Sequence, residues 1–204
     1  MKLVLFYLLY ISFANSEILN IPKNTPLYWL GQTNKAEEKK VYPVRFDTVW
    51  VDSLSLLLPC EGIPVPKRTS RLPNAPRKYR SGIHRGVDFF ANWGTPIRAV
   101  AEGTVIRADH NYQEYPANYR VKLLESSARV GQTPSDIFNS VLLGKSVFLD
   151  HGFDLVPGFR AISIYAHLSS IESDLKPGAL IKAGQLIGKS GNTGTRASTL
   201  NTKK

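Results

Sequence analysis

The stretch VDFFANWGTPIRAVAEGTVIRAD, residues 87 to 109, sets the fold class. Short runs of β-branched and aromatic residues alternate with polar ones, and each run ends at a turn former. VDFF (87–90) reads as one strand, and PIRAVAEGTVIRAD (96–109) as two strands about a Glu102-Gly103 turn. The rhythm continues downstream. SVFLDHG (146–152) and RAISIYAHL (160–168) are strands. After a Pro177-Gly178 turn, ALIKAGQLIGKSG (179–191) gives a strand, a turn at Gly184 and another strand. Strands this short and numerous predict a mainly β chain, an antiparallel β-sheet barrel or sandwich. One short helix is predicted over 134–143, PSDIFNSVLL. Thr133 would cap it, Pro134 suits its first turn, Asp136 opposes the positive dipole end, and Gly144 ends it.

Upstream, the pattern changes. Lys2 precedes an almost unbroken apolar run from Leu3 to Ala14, and Ala14-Asn15-Ser16 places small residues at a cleavage site. Residues 1–16 therefore read as a secretory signal outside the fold, and the chain as exported. The run is shorter than the roughly 20 residues that span a bilayer, so no stable membrane anchor is expected. Residues 17–75 form an extension. Within it VYPVRFDTVWV (41–51) puts Val44, Phe46, Thr48 and Trp50 on one strand face, and the segment 59–82, with five prolines, reads as an extended connector. The core domain is expected over 76–204.

Cys60 is the sole cysteine, which excludes an internal disulfide and is read as a buried, inert thiol. The formal charge is +10, with seven basic residues between Lys67 and Arg85. In an exported protein that balance points to anionic cell-wall polymers or lipid headgroups rather than nucleic acid. A solvated basic linker with no specific partner is the plainer alternative.

Only four histidines can supply imidazole: His84, His110, His151 and His167. GIHRGVDF places Asp88 four residues after His84. Imidazole and carboxylate suit a zinc-like ion, at roughly 2.0–2.2 Å from the metal. A straight strand would hold the pair about 13 Å apart, so the chain must curl between them, with Gly86 supplying the freedom. His167 ends the alternating run AISIYAHL, on a face shared with Ser163 and Tyr165, where it suits a general base or an oxyanion donor. His151 is read as a polar residue at a strand end, with ligation as its alternative, and His110 as a surface residue.

In order, YRSGIHRGVDFFANWGTPIRAVAEGTVIRA, LDHG, YAHLS and IKAGQLIGKSGNTG resemble the lysostaphin-type (LytM) zinc endopeptidases that cut peptidoglycan cross-bridges. The likeness covers about residues 76–197. It implies that His84 and Asp88 bind Zn²⁺, that His167 is catalytic, and that the partner is peptidoglycan. Residues 111–144 are longer than the family pattern and read as an insertion that lines the substrate groove. In the family, a His-x-His strand follows the Gly-Asn-Thr-Gly turn and supplies a third ligand. Here the turn runs into TRASTLNTKK, with no histidine after His167. A catalytic zinc site wants three protein ligands, so the resemblance implies a C-terminally truncated, impaired enzyme. Two alternatives stand beside it. One is a non-catalytic wall-binding or hydrolase-activating domain; the other, suggested by the strand-turn rhythm of IKAGQLIGKSG, is a lipoyl-type carrier.

Overall fold

The computed structural model describes residues 3–12, 49–153, 155–156 and 158–200. Its strands are β1 (Leu3–Ser12), β2 (Pro76–Arg77), β3 (Gly82–Ile83), β4 (Val87–Ala91), β5 (Pro96–Arg98), β6 (Gly103–Ala108), β7 (Val147–Asp150), β8 (Arg160–Ala166), β9 (Leu168–Ile171), β10 (Leu180–Ile181) and β11 (Leu186–Ser190), of which β4 to β8, β10 and β11 fall in the segments that alternation marked. One six-stranded sheet runs β10-β6-β7-β8-β1-β4, a three-stranded sheet runs β5-β11-β9, and β2 and β3 form a separate pair. All pairings are antiparallel. The main core takes Phe89 and Val105 from the larger sheet and Ile97, Leu168 and Ile187 from the smaller one. Both sheets thus bury a face in one core, and the arrangement is a sandwich rather than a closed barrel.

The two strands about Glu102-Gly103 do not pair with each other. β5 joins the small sheet and β6 the large one, as β10 and β11 do on either side of Gly184. Gly184 has φ +76, a turn conformation that L side chains rarely adopt.

Residues 111–144 carry more helix than their sequence suggested. A 14-residue helix, α2 (Ala117–Val130), follows the four-residue α1 (Val49–Asp52). The expected helix begins at α3 (Ser135–Ile137) and continues as a π-helical turn over Phe138–Leu142, closed by the Leu143 amide on the Phe138 carbonyl at 3.1 Å. Thr133 does not cap it; its hydroxyl is held by Arg80 instead, donating to the Arg80 carbonyl at 2.7 Å. A second apolar cluster joins Leu124 of α2 with Phe138, Val141 and Leu142, and with Ile164 and Ala166 of β8. β8 is therefore covered on both faces, by the main core through Tyr165 and by α2 and the π-helical turn through Ile164 and Ala166.

The apolar run read as an export signal takes a strand position here. Leu3–Ser12 is a strand between β4 and β8, with Phe6 opposite Asp88 on one side and Ala166 on the other. Two strands with unpaired N–H and C=O groups stand on either side of this position, and a run rich in Leu, Val, Ile, Phe and Tyr satisfies them as well as it would serve an export signal. Trp50 also departs from its predicted strand, because Val49–Asp52 is helical; residues 41–48 lie outside the described residues.

The proline-rich connector packs onto the domain. The Leu57 amide donates to the Val100 carbonyl at 2.9 Å and Arg98 to Pro59 at 2.9 Å, while Leu56, Cys60 and Ile63 pack into the main core. Burial pushes the Cys60 thiol up to about 12. Native protein is therefore expected to react with iodoacetamide at neutral pH at least about a hundredfold more slowly than unfolded protein. Equal labelling rates in buffer and in denaturant would refute that burial.

Candidate active site

His84 and Asp88 stand on either side of a bend at Gly86, which brings His84 Nε2 to 3.0 Å from Asp88 Oδ1. His84 is fully buried and Asp88 nearly so. On the far side of the ring, Nδ1 is 2.9 Å from the Leu72 carbonyl. A carbonyl only accepts, so Nδ1 carries a proton, and Nε2 faces the Asp88 carboxylate either as the N–H of an ion pair or, in the neutral ring, as a lone pair. In the second form a metal cation can bridge the two groups. Ligands at roughly 2.0–2.2 Å on a tetrahedral ion stand about 3.4 Å apart, so the pair fits two positions of such an ion. A backbone carbonyl holding the distal nitrogen is also the usual support of a ligating histidine. Among the described residues, no group of three or more His, Cys, Asp and Glu could hold a metal, so the fit extends to two protein ligands. Arg77 Nη2 lies 3.8 Å from Asp88 Oδ2 and competes for the same carboxylate.

His167 follows directly on β8 but does not continue its alternation. Its φ is +59, uncommon for a residue with a side chain. Ser163 and Tyr165, expected on its face, lie fully buried with their hydroxyls 3.2 Å apart. His167 instead lines the cleft that Asp88 lines. Its Nδ1–H donates to the Thr193 carbonyl at 2.7 Å, and its amide to the Leu143 carbonyl at 2.8 Å. Burial holds the imidazole below its usual range; the Thr193 carbonyl and the Asp88 charge only partly oppose this. The ring is thus neutral at neutral pH, with a fixed tautomer and a basic Nε2.

The turn that fixes this tautomer is itself pinned. The Thr193 hydroxyl donates to the Leu168 carbonyl at 2.9 Å and accepts from the Lys145 amide at 2.9 Å. Gly144 and Gly194 both have positive φ and touch backbone to backbone: a Cβ on Gly194 would lie 2.5 Å from the Gly144 nitrogen. After the turn the chain does not extend into a strand. Thr195 caps a short helix, α4 (Arg196–Thr199), accepting from the Ser198 amide at 3.3 Å.

The cleft has a volume of about 750 Å³. Asp88 and His167 lie on the sheet side, Arg120 and Leu124 come from α2, Phe138 and Leu142 from the π-helical turn, and Arg196 from α4. The basic segment read as a possible solvated linker contributes to its wall. Arg80 is buried, donating to Thr133 Oγ1 at 3.0 Å and to the Ile83 carbonyl at 2.7 Å, and Arg85 stands 4.5 Å over the Phe138 ring. The other two histidines are held elsewhere. His151 is buried between the Glu102 carbonyl and the Ser163 hydroxyl, and the exposed His110 bonds the Leu175 carbonyl at 2.7 Å.

Sequence reasoning missed Arg120 and Thr193. Only Pro116 before α2 and Gly131 after it signalled the helix that carries Arg120.

Known proteins resemble this chain in sequence. Lysostaphin of Staphylococcus staphylolyticus is 30% identical over 119 residues, covering 58% of this chain and 18% of its own length. The glycyl-glycine endopeptidase ALE-1 of Staphylococcus capitis is 30% identical over 119 residues, 58% of this chain and 23% of the relative. This chain thus spans about a fifth of the length of these relatives. A solved peptidase M23 structure from Pseudomonas aeruginosa is 28% identical with a TM-score of 0.38, over 69% of this chain and 39% of the other. The model of "Peptidase family M23" matches residues 82–203, a span holding His84, Asp88, His167 and the Thr193 turn. The chain belongs to peptidase family M23.

Proposed function

We propose that this chain hydrolyses peptide bonds of peptidoglycan cross-bridges outside the cytoplasm, with a zinc ion held weakly by His84 Nε2 and Asp88. The observation that carries the reading is the approach of the His84 imidazole to the Asp88 carboxylate at 3.0 Å, with Asp88 lining a cleft that His167 shares. When bound, zinc would polarise the scissile carbonyl and acidify a water. The protein's own groups do the rest. His167 Nε2 takes the proton of the attacking water and returns it to the leaving amine, while Thr193 keeps the proton on Nδ1 throughout. The walls from α2 and the π-helical turn hold the peptide and exclude bulk water.

Two ligands hold an ion less firmly than three and leave its open positions less well defined, so hydrolysis is low and rises with added zinc. Competition with a chromophoric chelator tests this. One-to-one binding is expected, weakened at least about tenfold by His84→Ala or by Asp88→Ala. Zinc binding indifferent to both changes would overturn the zinc reading. With saturable binding to insoluble peptidoglycan and no cleavage, it would favour a wall-binding domain instead. The two-ligand limit among the described residues is what keeps that second reading in view.

A further inference from the structure

We propose that Arg120, carried into the cleft by the insertion, is a carboxylate-recognition residue, so that the peptides taken here bear a free carboxylate beside the bond to be cut. The inference deepens the reading of the cleft as a peptide site and rests on it.

Arg120 is only 9% exposed, yet its guanidinium makes a single hydrogen bond, from Nε to the Gly194 carbonyl at 3.3 Å. Among the described residues its two terminal nitrogens meet no acceptor and no carboxylate stands within ion-pair distance. Tyr79 and then Glu114 favour its charged form, but the Glu114 carboxylate is committed elsewhere. Oε1 accepts from the Gly194 amide at 2.8 Å and the Ser198 hydroxyl at 2.6 Å, and Oε2 from the Tyr112 hydroxyl at 3.3 Å. A buried guanidinium without an anion is costly, and buried charges are ordinarily paired. Arg120 lines the same cleft as His167, so the missing partner belongs in the cleft.

The rest of the wall agrees in sign. Arg77, Arg80 and Arg196 line the cleft with Arg120, against the carboxylates of Asp88 and Glu125. Arg80 is used up on Thr133 and Ile83, and Arg77 on Asp88 and the Ser70 carbonyl; Arg196 is exposed to water, which leaves Arg120 as the buried planar fork on offer. That fork matches the two oxygens of a carboxylate. A glycyl-glycine bond of the kind for which ALE-1 is named carries no such group, so the geometry separates this cleft's substrate class from a neutral oligoglycine.

The test is calorimetric titration of the full chain, freed of metal on a chelating resin, with N-acetyl-trialanine and with its C-terminal amide, repeated with inorganic phosphate and with acetate as competitors. The acid is expected to bind at least about tenfold more tightly than the amide, and Arg120→Gln should erase the difference. Arg120→Lys, which keeps the charge and stem but not the fork, should lose most of it while keeping the wild-type melting profile. Equal affinities for acid and amide in the wild-type chain would overturn the proposal without recourse to any variant. So would phosphate displacing the peptide acid at lower concentration than acetate does, since that would assign the site to phosphate. Neither metal nor hydrolysis enters the measurement. Acid-over-amide preference in a chain that never cleaves peptidoglycan would sink the hydrolase reading and leave this inference standing.

Discussion

Gly194→Ala is expected to lower stability by about 3 kcal/mol or more, the larger part of it from contact rather than torsion. A side chain in the left-handed region costs roughly 1–2 kcal/mol by itself. At Gly194 the new Cβ would also meet the Gly144 nitrogen at 2.5 Å, its Cα at 2.7 Å and the Leu142 carbonyl oxygen at 2.8 Å, all backbone atoms. The turn would have to move away from the end of the π-helical segment. That motion drags Thr193, and with it the acceptor of the His167 ring proton. Gly131→Ala separates the two causes. Gly131 has φ +82 but nothing within 4 Å of its ideal Cβ, so its cost should stay at the torsional level. Thermal melts of both variants decide the matter. A loss at Gly194 no greater than at Gly131 would mean that the close approach carries no weight.

His167→Asn should reduce peptidoglycan hydrolysis, measured at saturating zinc, by about 10²–10⁴-fold, the usual worth of a positioned proton-transfer group. Asparagine tolerates a positive φ better than most residues, so the backbone at +59 need not change. It cannot cycle a proton at neutral pH. The informative companion measurement is zinc affinity, which should remain that of the wild-type chain because His84 and Asp88 are untouched. Unchanged hydrolysis would remove His167 from the chemistry. Lost hydrolysis together with lost zinc would make it a ligand instead.

Much of the scaffold was legible because alternation and glycine punctuation are local. β4, β7, β8 and β11 lie where the runs VDFF, VFLD, AISIYA and LIGKS placed them. Which strand pairs with which was not legible. A period of two says nothing about partners, and the strands about Glu102-Gly103 part into different sheets. α2 was hidden because its buried face holds Arg120 and Ser127 beside Leu124, so the apolar period that marks a helix is broken by the residues that give the cleft its charge. The His84–Asp88 pair is singled out by resemblance, its spacing alone being a weak signal, whereas the role of Thr193 depends on a carbonyl that only the folded turn aims. At the N-terminus one composition suits two fates, an export signal and a strand.

β1 meets the Asp88 strand on one side and the strand leading to His167 on the other. The two walls that bring Asp88 and His167 to one cleft are therefore not bonded to each other directly but through a strand from the far end of the chain. A pull on residues 3–12 would be felt at that seam before it reached the outer edge of the sheet.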